Sequence, residues 1–439
     1  MTSEIAILNK EAIALATDSA VTLSMERGQK IFTSANKLFC LSKYYPVGIM
    51  IYGNATFMGI PWETIVKIYR NELEKKHFSS LKGYAIHFLQ FLEKKKRLFP
   101  SSEQDDYVKR TVHTYYYQIK QDIQETVQKK IDSKDKLDSK EVAKIVSDII
   151  NIHNTRWKKA KRLTSLPKKQ ESRIRKQHQK MIAEAKNEIF EKLPITDSDS
   201  KVLDDIAISL FVKFSDEVIY SVQSGIVVAG FGEKNVFPSL LSFMIEGICC
   251  NTLKYREDKN IDINFKRSAA IVPFAQSEMV TRFMEGVDPE YEVAIETDLS
   301  EIFQKYPEII FDIVSKSNKK SKPLELSRIK TKIITAGTTQ LKQYLEKLKK
   351  FRNQRYVSPV VSIVAMLPKD ELATMAESLV SLTSFKRKVS TQTETVGGPV
   401  DVAVISKGDG FIWIRRKQYF KEEYNPQFKA NYYRKRDLI

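Results

Sequence analysis

The chain opens on a run of short strands, and this order of elements constrains its fold more than any other feature. Residues 3–8 and 12–17 are apolar runs separated by three polar residues, a pattern that predicts a β-hairpin. Runs at 37–41 and 47–52 predict a second hairpin. Pro61 then stands near the start of a helix with one apolar face. Roughly the first seventy residues are therefore predicted to form four strands and then a helix.

The composition and the spacing of apolar residues divide the rest of the chain into predicted helical and strand segments. From about residue 75 to 222, Gly and Pro are scarce and apolar residues recur at helical spacing, which predicts a helical insertion. The predicted strands after it are 224–231, 239–247, 269–273, 360–367, 400–406 and 411–415. The predicted helices are 276–286 and 369–389. A mixed insertion with a polar loop is predicted at 287–358, the loop being 315–323.

Composition indicates a globular protein with more than one structural unit, because 439 residues of which 42% are hydrophobic can bury a large core. No apolar run approaches membrane-spanning length, and the N-terminus lacks the pattern of a secretory signal. The cysteines Cys40, Cys249 and Cys250 make no disulfide framework, and the adjacent Cys249 and Cys250 are expected to be buried thiols in a reducing compartment. We therefore expect a cytoplasmic protein without a membrane partner.

Positive charge is concentrated in one stretch and in the C-terminal tail. The net charge is +18, and residues 156–180 hold eleven Lys or Arg against one acid, Glu171. Basic residues of the tail are interleaved with aromatic ones. Such segments can bind nucleic acid or another polyanion. They can also form a solvated helical face and a tail packed on its own domain. The sequence leaves both interpretations open and favours the second, because no recognised nucleic-acid module contains these charges.

Residues that would hold a cofactor are not recognised in this sequence. The histidines lack metal-ligand spacing, and structural or surface roles are expected for His77, His87, His113, His153 and His178. No phosphate-binding Gly-rich loop is found, so an ATPase would be a separate protein. We therefore expect neither a metal ion nor another cofactor.

The second residue gains a reactive character if Met1 is removed. Thr2 then carries both a hydroxyl and a free α-amine, which together are a nucleophile with its own base. The ordinary pKa of an α-amine is about 7.7–8.0, so the amine is partly neutral near pH 7 and can accept the hydroxyl proton. A Thr at this position is common, and its interpretation depends on the residues that follow.

Three stretches together resemble the proteasome β-subunit family of N-terminal nucleophile hydrolases. Residues 2–22 (TSEIAILNKEAIALATDSAVT) match the opening hairpin, with the nucleophile at its head and Asp18 sixteen residues later. Lys37-Leu38-Phe39 and the GIMIYG of 48–53 match the catalytic lysine strand and the next strand. Residues 397–413 (GGPVDVAVISKGDGFIW) resemble the family's Gly-Gly segment and closing hairpin. The resemblance covers roughly half of the chain, and its specificity lies in the order and spacing of the motifs.

The resemblance implies an α+β fold, a four-layer αββα sandwich in which helices enclose two antiparallel sheets. Relative to that pattern the chain carries two insertions. The implied segments are 1–74 (first half of the core), 75–222 (helical, basic insertion), 223–286 (second half of the core), 287–358 (mixed insertion), 359–415 (closing helix and strands) and 416–439 (basic aromatic tail).

The family's chemistry implies a role for each matching residue. Thr2 would attack an amide carbonyl and form an acyl-enzyme that water clears. Lys37 would lower the pKa of the Thr2 amine, and Asp18 would hold the lysine in place. The Gly53 N–H would donate to the oxyanion. Small or apolar residues match the specificity pocket and imply an apolar side chain beside the cleaved bond: Val21, Ala35, Ile51 and Ala55.

Two stretches depart from the family pattern. Active members carry Gly-Ser-Gly before a helix of the second half, and the matching stretch here is Phe274-Ala275-Gln276-Ser277, so the serine is missing or displaced to Ser277. The family also has an Asp and a Ser just before the paired glycines, where this chain reads TQTETV at 391–396. Glu394 lies one residue from the Asp position and is the candidate replacement.

Two functions follow from these observations. The first is a threonine peptidase or amidohydrolase with a peptide or protein substrate, for which the resemblance implies a homo-oligomer and a separate ATPase or regulator. The second is a proteasome-like scaffold of little or no activity that binds nucleic acid or an acidic protein through 156–180. The presence of Thr2, Asp18 and Lys37 favours the enzyme, and the altered helper residues motivate the scaffold.

Overall fold

The computed structural model describes residues 3–25, 28–134, 137–215, 223–317, 323–390, 396–428 and 430. Contacts divide the chain into two compact units. Unit 1 comprises Met1–Ser34, Ile263–Val404 and Ile412–Ile439, and unit 2 comprises Ala35–Asp262 and Ile405–Phe411.

Strands and helices follow one another in blocks. Within the described residues the strands are β1 (Ser3–Asn9), β2 (Ala12–Thr17), β3 (Val21–Met25), β4 (Gly28–Phe32), β5 (Leu38–Cys40), β6 (Val47–Gly53), β7 (Thr56–Phe57), β8 (Ile60–Pro61), β9 (Ser224–Gly230), β10 (Ser239–Cys249), β11 (Thr252–Asp262), β12 (Ala269–Ala275), β13 (Asp401–Ser406) and β14 (Gly410–Arg415). The helices are α1 (Trp62–Leu73), α2 (Leu81–Lys94), α3 (Ser101–Lys134), α4 (Ser139–Lys159), α5 (Gln170–Phe190), α6 (Asp197–Val212), α7 (Glu278–Glu285), α8 (Pro289–Ser317), α9 (Pro323–Arg352), α10 (Ser358–Val364) and α11 (Lys369–Val389). A π-helical turn at Asn353–Val357 and a 3-10 turn at Glu422–Tyr424 are also formed, and residues 426–428 are helical.

Unit 1 is built on a five-stranded sheet in the order β12-β1-β2-β13-β14. Strand β1 runs antiparallel to β12 and to β2, and Ser3 lies opposite Ala275. Helix α11 packs on β1 and β2, where Ala14, Ala16 and Leu372 share one buried apolar cluster. Short alanine side chains let the helix approach the sheet closely, and this packing fixes the N-terminal strand in the interior.

Unit 2 is built on a second five-stranded sheet, in the order β11-β10-β9-β6-β5. Strand β9 runs antiparallel to β10 and β6. Helices α2 and α3 pack on β10, and α3, α4, α5 and α6 pack on one another. Helices α4 and α6 each begin with a capping box, which satisfies backbone N–H groups that the first turn leaves without a partner.

The structure confirms several elements predicted from the sequence. Both N-terminal hairpins form, a helix begins directly after Pro61, and α11 has the predicted bounds. Each unit therefore combines helices with antiparallel strands, which is an α+β arrangement. Among the residues that the structure describes, no helix has both the length and the apolar character needed to cross a membrane.

The predicted buried strand at 360–367 is wrong, because Ser358–Val364 forms helix α10. A continuous run of β-branched residues does not distinguish a buried strand from a buried helix. Val360, Val361 and Val364 pack with the apolar cluster of unit 1, whereas Ile363 is exposed. Because this spacing places the three valines on one face of a helix, their packing overrides the strand preference of valine.

Three further differences concern polar segments. The segment 287–358, predicted to be mixed, is helical over most of its described part, in α8, α9 and the π-helical turn. The loop predicted at 315–323 overlaps the end of α8, and its residues 318–322 lie outside the described ones. Strand β11 is not predicted from the sequence, because the second half of this strand is polar and largely exposed. It is an edge strand that pairs with β10 alone in its sheet.

Candidate active site

The carboxylate of Asp18 is fixed by three backbone N–H groups, two from the first twenty residues and one from the segment before β13. Its Oδ1 accepts from Ser3 N at 3.1 Å, and its Oδ2 accepts from Ala20 N at 3.2 Å and Gly397 N at 3.1 Å. The Asp18 N–H in turn donates to Ser3 O at 3.1 Å. Asp18 is fully buried. The carboxylate therefore lies beside the peptide nitrogen that joins Ser3 to Thr2.

The paired glycines ahead of β13 complete the surroundings of this carboxylate. Ser19 N donates to Gly397 O at 3.0 Å, and Ser19 Oγ donates to Pro399 O at 2.5 Å. Gly398 has a φ of +78°, and a Cβ on it would lie 2.7 Å from Thr33 O. Only a glycine fits this backbone without strain. The Gly-Gly-Pro segment thus wraps the turn that carries Asp18.

Asp18→Asn is expected to destabilise unit 1 by about 1–3 kcal/mol, because the new NH₂ group must face at least one of the N–H donors and leaves it unsatisfied. The midpoint of urea unfolding measures this loss. Asp298→Asn is the matched control, since Asp298 is exposed on α8 and should tolerate the same change within about 0.5 kcal/mol. Equal midpoints for the two variants would contradict the role assigned to the Asp18 carboxylate.

Ser277 lies at the N-terminal end of α7, two residues beyond Ala275, the residue opposite Ser3. Its side chain is half-buried and makes no capping hydrogen bond to the helix. The neighbouring Gln276 accepts from Arg387 Nε at 2.9 Å, and Arg387 also binds both carboxylate oxygens of Glu278 at 3.2 Å. This network of Arg387, Gln276 and Glu278 is not evident from the sequence. It holds in place residues 274–277, the stretch that departs from the family pattern.

In unit 2 the structure brings Lys37, the residue just before β5, next to Ile51 on β6. Ile51 N donates to Lys37 O at 2.9 Å, and Leu38 is paired with Met50. Lys37 is buried with 5% of its surface exposed, and Ile51 belongs to the apolar core of unit 2. The predicted catalytic lysine is thus buried rather than solvated.

Gly53 ends β6 in a backbone conformation that favours glycine, with a φ of +82°. A Cβ on this residue would lie 2.5 Å from Gln223 O, which also accepts from Asn54 N at 3.1 Å. Close by, Ser224 Oγ accepts from Trp62 Nε1 at 3.0 Å and donates to Asn54 O at 3.3 Å. The glycine is therefore required by the fold, independently of any approach by a substrate.

Gly53→Ala is expected to destabilise unit 2 by about 1–3 kcal/mol, because alanine is strained at this positive φ and its Cβ meets a backbone carbonyl. Urea unfolding followed by circular dichroism measures the change. Gly408→Ala is the control, since nothing lies within 4 Å of the added Cβ and no positive φ is involved. Similar losses in both variants would show that Gly53 is not under the constraint described.

The remaining site residues predicted from the sequence lie at several places. Val21 in β3, Ala35 and Ala55 are partly buried, and Ala55 O accepts from Trp62 N at 3.2 Å. Thr2 and Glu394 lie outside the described residues. The geometry of the nucleophile and of the acidic helper therefore stays a prediction.

A scan against protein-family models and a search of curated protein sequences find no match to this chain. The interpretation of the site rests on its motifs and on the geometry within each unit.

Proposed function

We propose that this chain is a threonine-type amidohydrolase, most simply a peptidase, related to the proteasome β subunits. After Met1 is removed, the Thr2 hydroxyl attacks an amide carbonyl carbon and its proton passes to the α-amine. The C–N bond then breaks, the departing amine takes that proton, and water hydrolyses the ester to regenerate Thr2. Lys37 and Gly53 keep the roles that the resemblance implies.

The hydrogen bond from Ser3 N to Asp18 Oδ1 carries this proposal. It places the acid beside Ser3, the residue that directly follows the nucleophile position in the sequence. A solvated aspartate in a surface turn would make no such contact. Burial of Asp18 and Lys37 also fits functional side chains better than surface charges.

Turnover of fluorogenic peptide amides by chains with free and blocked N-termini tests the proposal. Protein with a C-terminal tag and Met1 removed is expected to release the fluorophore, with a preference for an apolar residue before the cleaved bond. The same chain with a short, uncleaved N-terminal extension is the matched control and should be inactive, because its Thr2 amine is acylated. Equal turnover by both forms, or by neither, would count against the proposal.

A basic cavity in unit 2 supports a second candidate function, the binding of a polyanion. The cavity has a volume of about 530 Å³, and basic residues in its lining include Arg156, Lys159, Lys161, Arg162 and Arg256. Arg162 is partly neutralised by Glu171, to which its Nε donates at 2.6 Å. Lys159 and Lys161 are exposed, so their positive charges are accessible to a ligand from solvent.

Fluorescence anisotropy with a labelled single-stranded oligonucleotide tests this second function. Binding is expected at low salt and should weaken steeply as salt rises, because phosphate contacts release counterions. Lys159→Glu together with Lys161→Glu should abolish it, whereas Thr2→Ala should leave it unchanged. No binding at low salt would exclude the nucleic-acid form of the proposal.

The finer features implied by the resemblance are part of the same proposal. They are the four-layer αββα sandwich, a cytoplasmic location, a homo-oligomer and a separate ATPase or regulator. Sedimentation of the purified full chain tests the oligomer, for which a species larger than one 50.7 kDa chain is expected.

A further inference from the structure

Two adjacent cysteines stand at the turn of a long hairpin in unit 2. Strand β10 ends at Cys249 and β11 begins at Thr252, and these two residues are paired. Cys250 and Asn251 form the turn with φ values of +52° and +57°. Two-residue turns of this kind favour Asn and Gly, so a cysteine at positive φ costs conformational energy. Residues in strained backbone conformations of this kind cluster at functional sites.

The turn brings both thiols to a histidine on α5. The two Sγ atoms are 3.8 Å apart, and Cys250 Sγ lies 3.6 Å from His178 Nε2. Ligand atoms of all three residues lie within 4.8 Å of one another. The residues are buried, with 3%, 7% and 1% of their surfaces exposed for Cys249, Cys250 and His178.

Polar side chains outside this cluster hold it in place. His178 Nδ1 faces Asp105 Oδ1 on α3 at 3.6 Å. Gln104 Oε1 accepts from Asn251 N at 2.8 Å, and Gln170 Nε2 donates to Cys249 O at 2.9 Å. The hairpin turn is thus fixed by side chains from α3 and α5. A carboxylate behind a histidine is the usual partner of a metal-binding imidazole, because it orients the ring.

We propose that His178, Cys249 and Cys250 bind a zinc ion. Thiolate sulfur and imidazole nitrogen are the ligands that Zn²⁺ prefers, and three protein ligands leave a fourth position for an exogenous one. Zn–S bonds of about 2.3 Å and a Zn–N bond of about 2.0 Å at tetrahedral angles separate two sulfurs by about 3.8 Å and a sulfur from a nitrogen by about 3.5 Å. The separations between the Sγ atoms and from Cys250 Sγ to His178 Nε2 match these values closely.

Binding requires each coordinating thiol to lose its proton to solvent, and the metal then joins the hairpin to α5. The sequence predicts no metal site, because its histidines lack metal-ligand spacing. His178 stands more than seventy residues before the cysteines, and only the fold brings them together. The zinc site stands apart from the proposed hydrolase function and requires no reaction at Thr2.

The zinc content of the full chain tests the proposal. The purified protein is stripped with a chelator, reloaded with Zn²⁺ and desalted before its zinc is measured. About one zinc ion per chain is expected. Cys250→Ser and His178→Gln should abolish retention, whereas Cys40→Ser should retain it, since Cys40 is a buried thiol whose Sγ contacts Ser42 O instead. Asp105→Asn should weaken zinc binding about tenfold in competition with a chelator, because it replaces the carboxylate that faces His178 Nδ1.

Cobalt substitution keeps the test decisive if a variant fails to fold. Co²⁺ added to the stripped wild-type chain should give the near-ultraviolet thiolate-to-cobalt charge-transfer band of a site with two sulfur ligands, and Zn²⁺ should bleach it. The absence of that band, or zinc retention that survives Cys250→Ser and His178→Gln, would overturn the assignment.

Discussion

Thr2→Ala is expected to lower the kcat for a peptide amide by about a thousandfold or more, because it removes the only hydroxyl to which the proposed reaction assigns the attack. Thr2→Ser keeps both the hydroxyl and the α-amine and should retain measurable turnover. The two variants differ by one oxygen atom at the same site. Their comparison therefore separates loss of the nucleophile from a general disturbance of the N-terminal strand.

Three measurements make this comparison decisive. The mass of the N-terminal peptide establishes that each variant has lost Met1. Urea midpoints establish that both remain folded, as expected when Ser3, Asp18 and the rest of the hairpin are unchanged. Turnover by Thr2→Ala equal to that of the wild type would exclude Thr2 as the nucleophile.

Lys254→Met is expected to destabilise unit 2 by about 3–5 kcal/mol. Lys254 Nζ binds Glu246, whose side chain is 1% exposed, and donates to Leu210 O at 2.6 Å. Burial lowers the pKa of Lys254, and the Glu246 carboxylate acts against that shift. Removing the ammonium group leaves Glu246 buried with Gln223 Nε2 as a neutral hydrogen-bond donor at 2.9 Å. An uncompensated buried charge of this kind is costly.

The double variant Glu246→Gln with Lys254→Met should recover most of that loss, because neither charge is then buried. Lys180→Met is the exposed control. Lys180 lies 3.9 Å from Glu184 with 92% of its side chain exposed, so its loss should cost less than about 1 kcal/mol. Urea midpoints of the three variants measure these differences, and equal losses for Lys254→Met and Lys180→Met would contradict the buried ion pair.

Local patterns predict the elements whose signal is contained in a few neighbouring residues. The hairpin of β1 and β2 is predicted because short apolar runs stand on either side of polar residues. Helix α11 is predicted from apolar spacing across its whole length. Helix α10 is not, because its valines carry a strand preference that only the apolar cluster of unit 1 reverses.

Features of the site that depend on residues far apart in the chain are predicted from the sequence only in part or not at all. The motif around Asp18 indicates an acid near the nucleophile, yet the N–H of Gly397 that binds it comes from the other end of the chain. The bond between Arg387 and Gln276 joins residues 111 positions apart. The pairing of His178 with the two cysteines is likewise set by helix packing, for which no local pattern exists.

The mass of the N-terminal peptide after treatment with a threonine-directed peptide epoxyketone tests the central claim most directly. This probe needs both the hydroxyl and the free amine of the same residue. We expect a peptide that begins at Thr2 and carries the adduct, and no adduct on the Thr2→Ala chain. Retained Met1, or a free Thr2 that remains unmodified, would contradict the assignment of Thr2 as an N-terminal nucleophile.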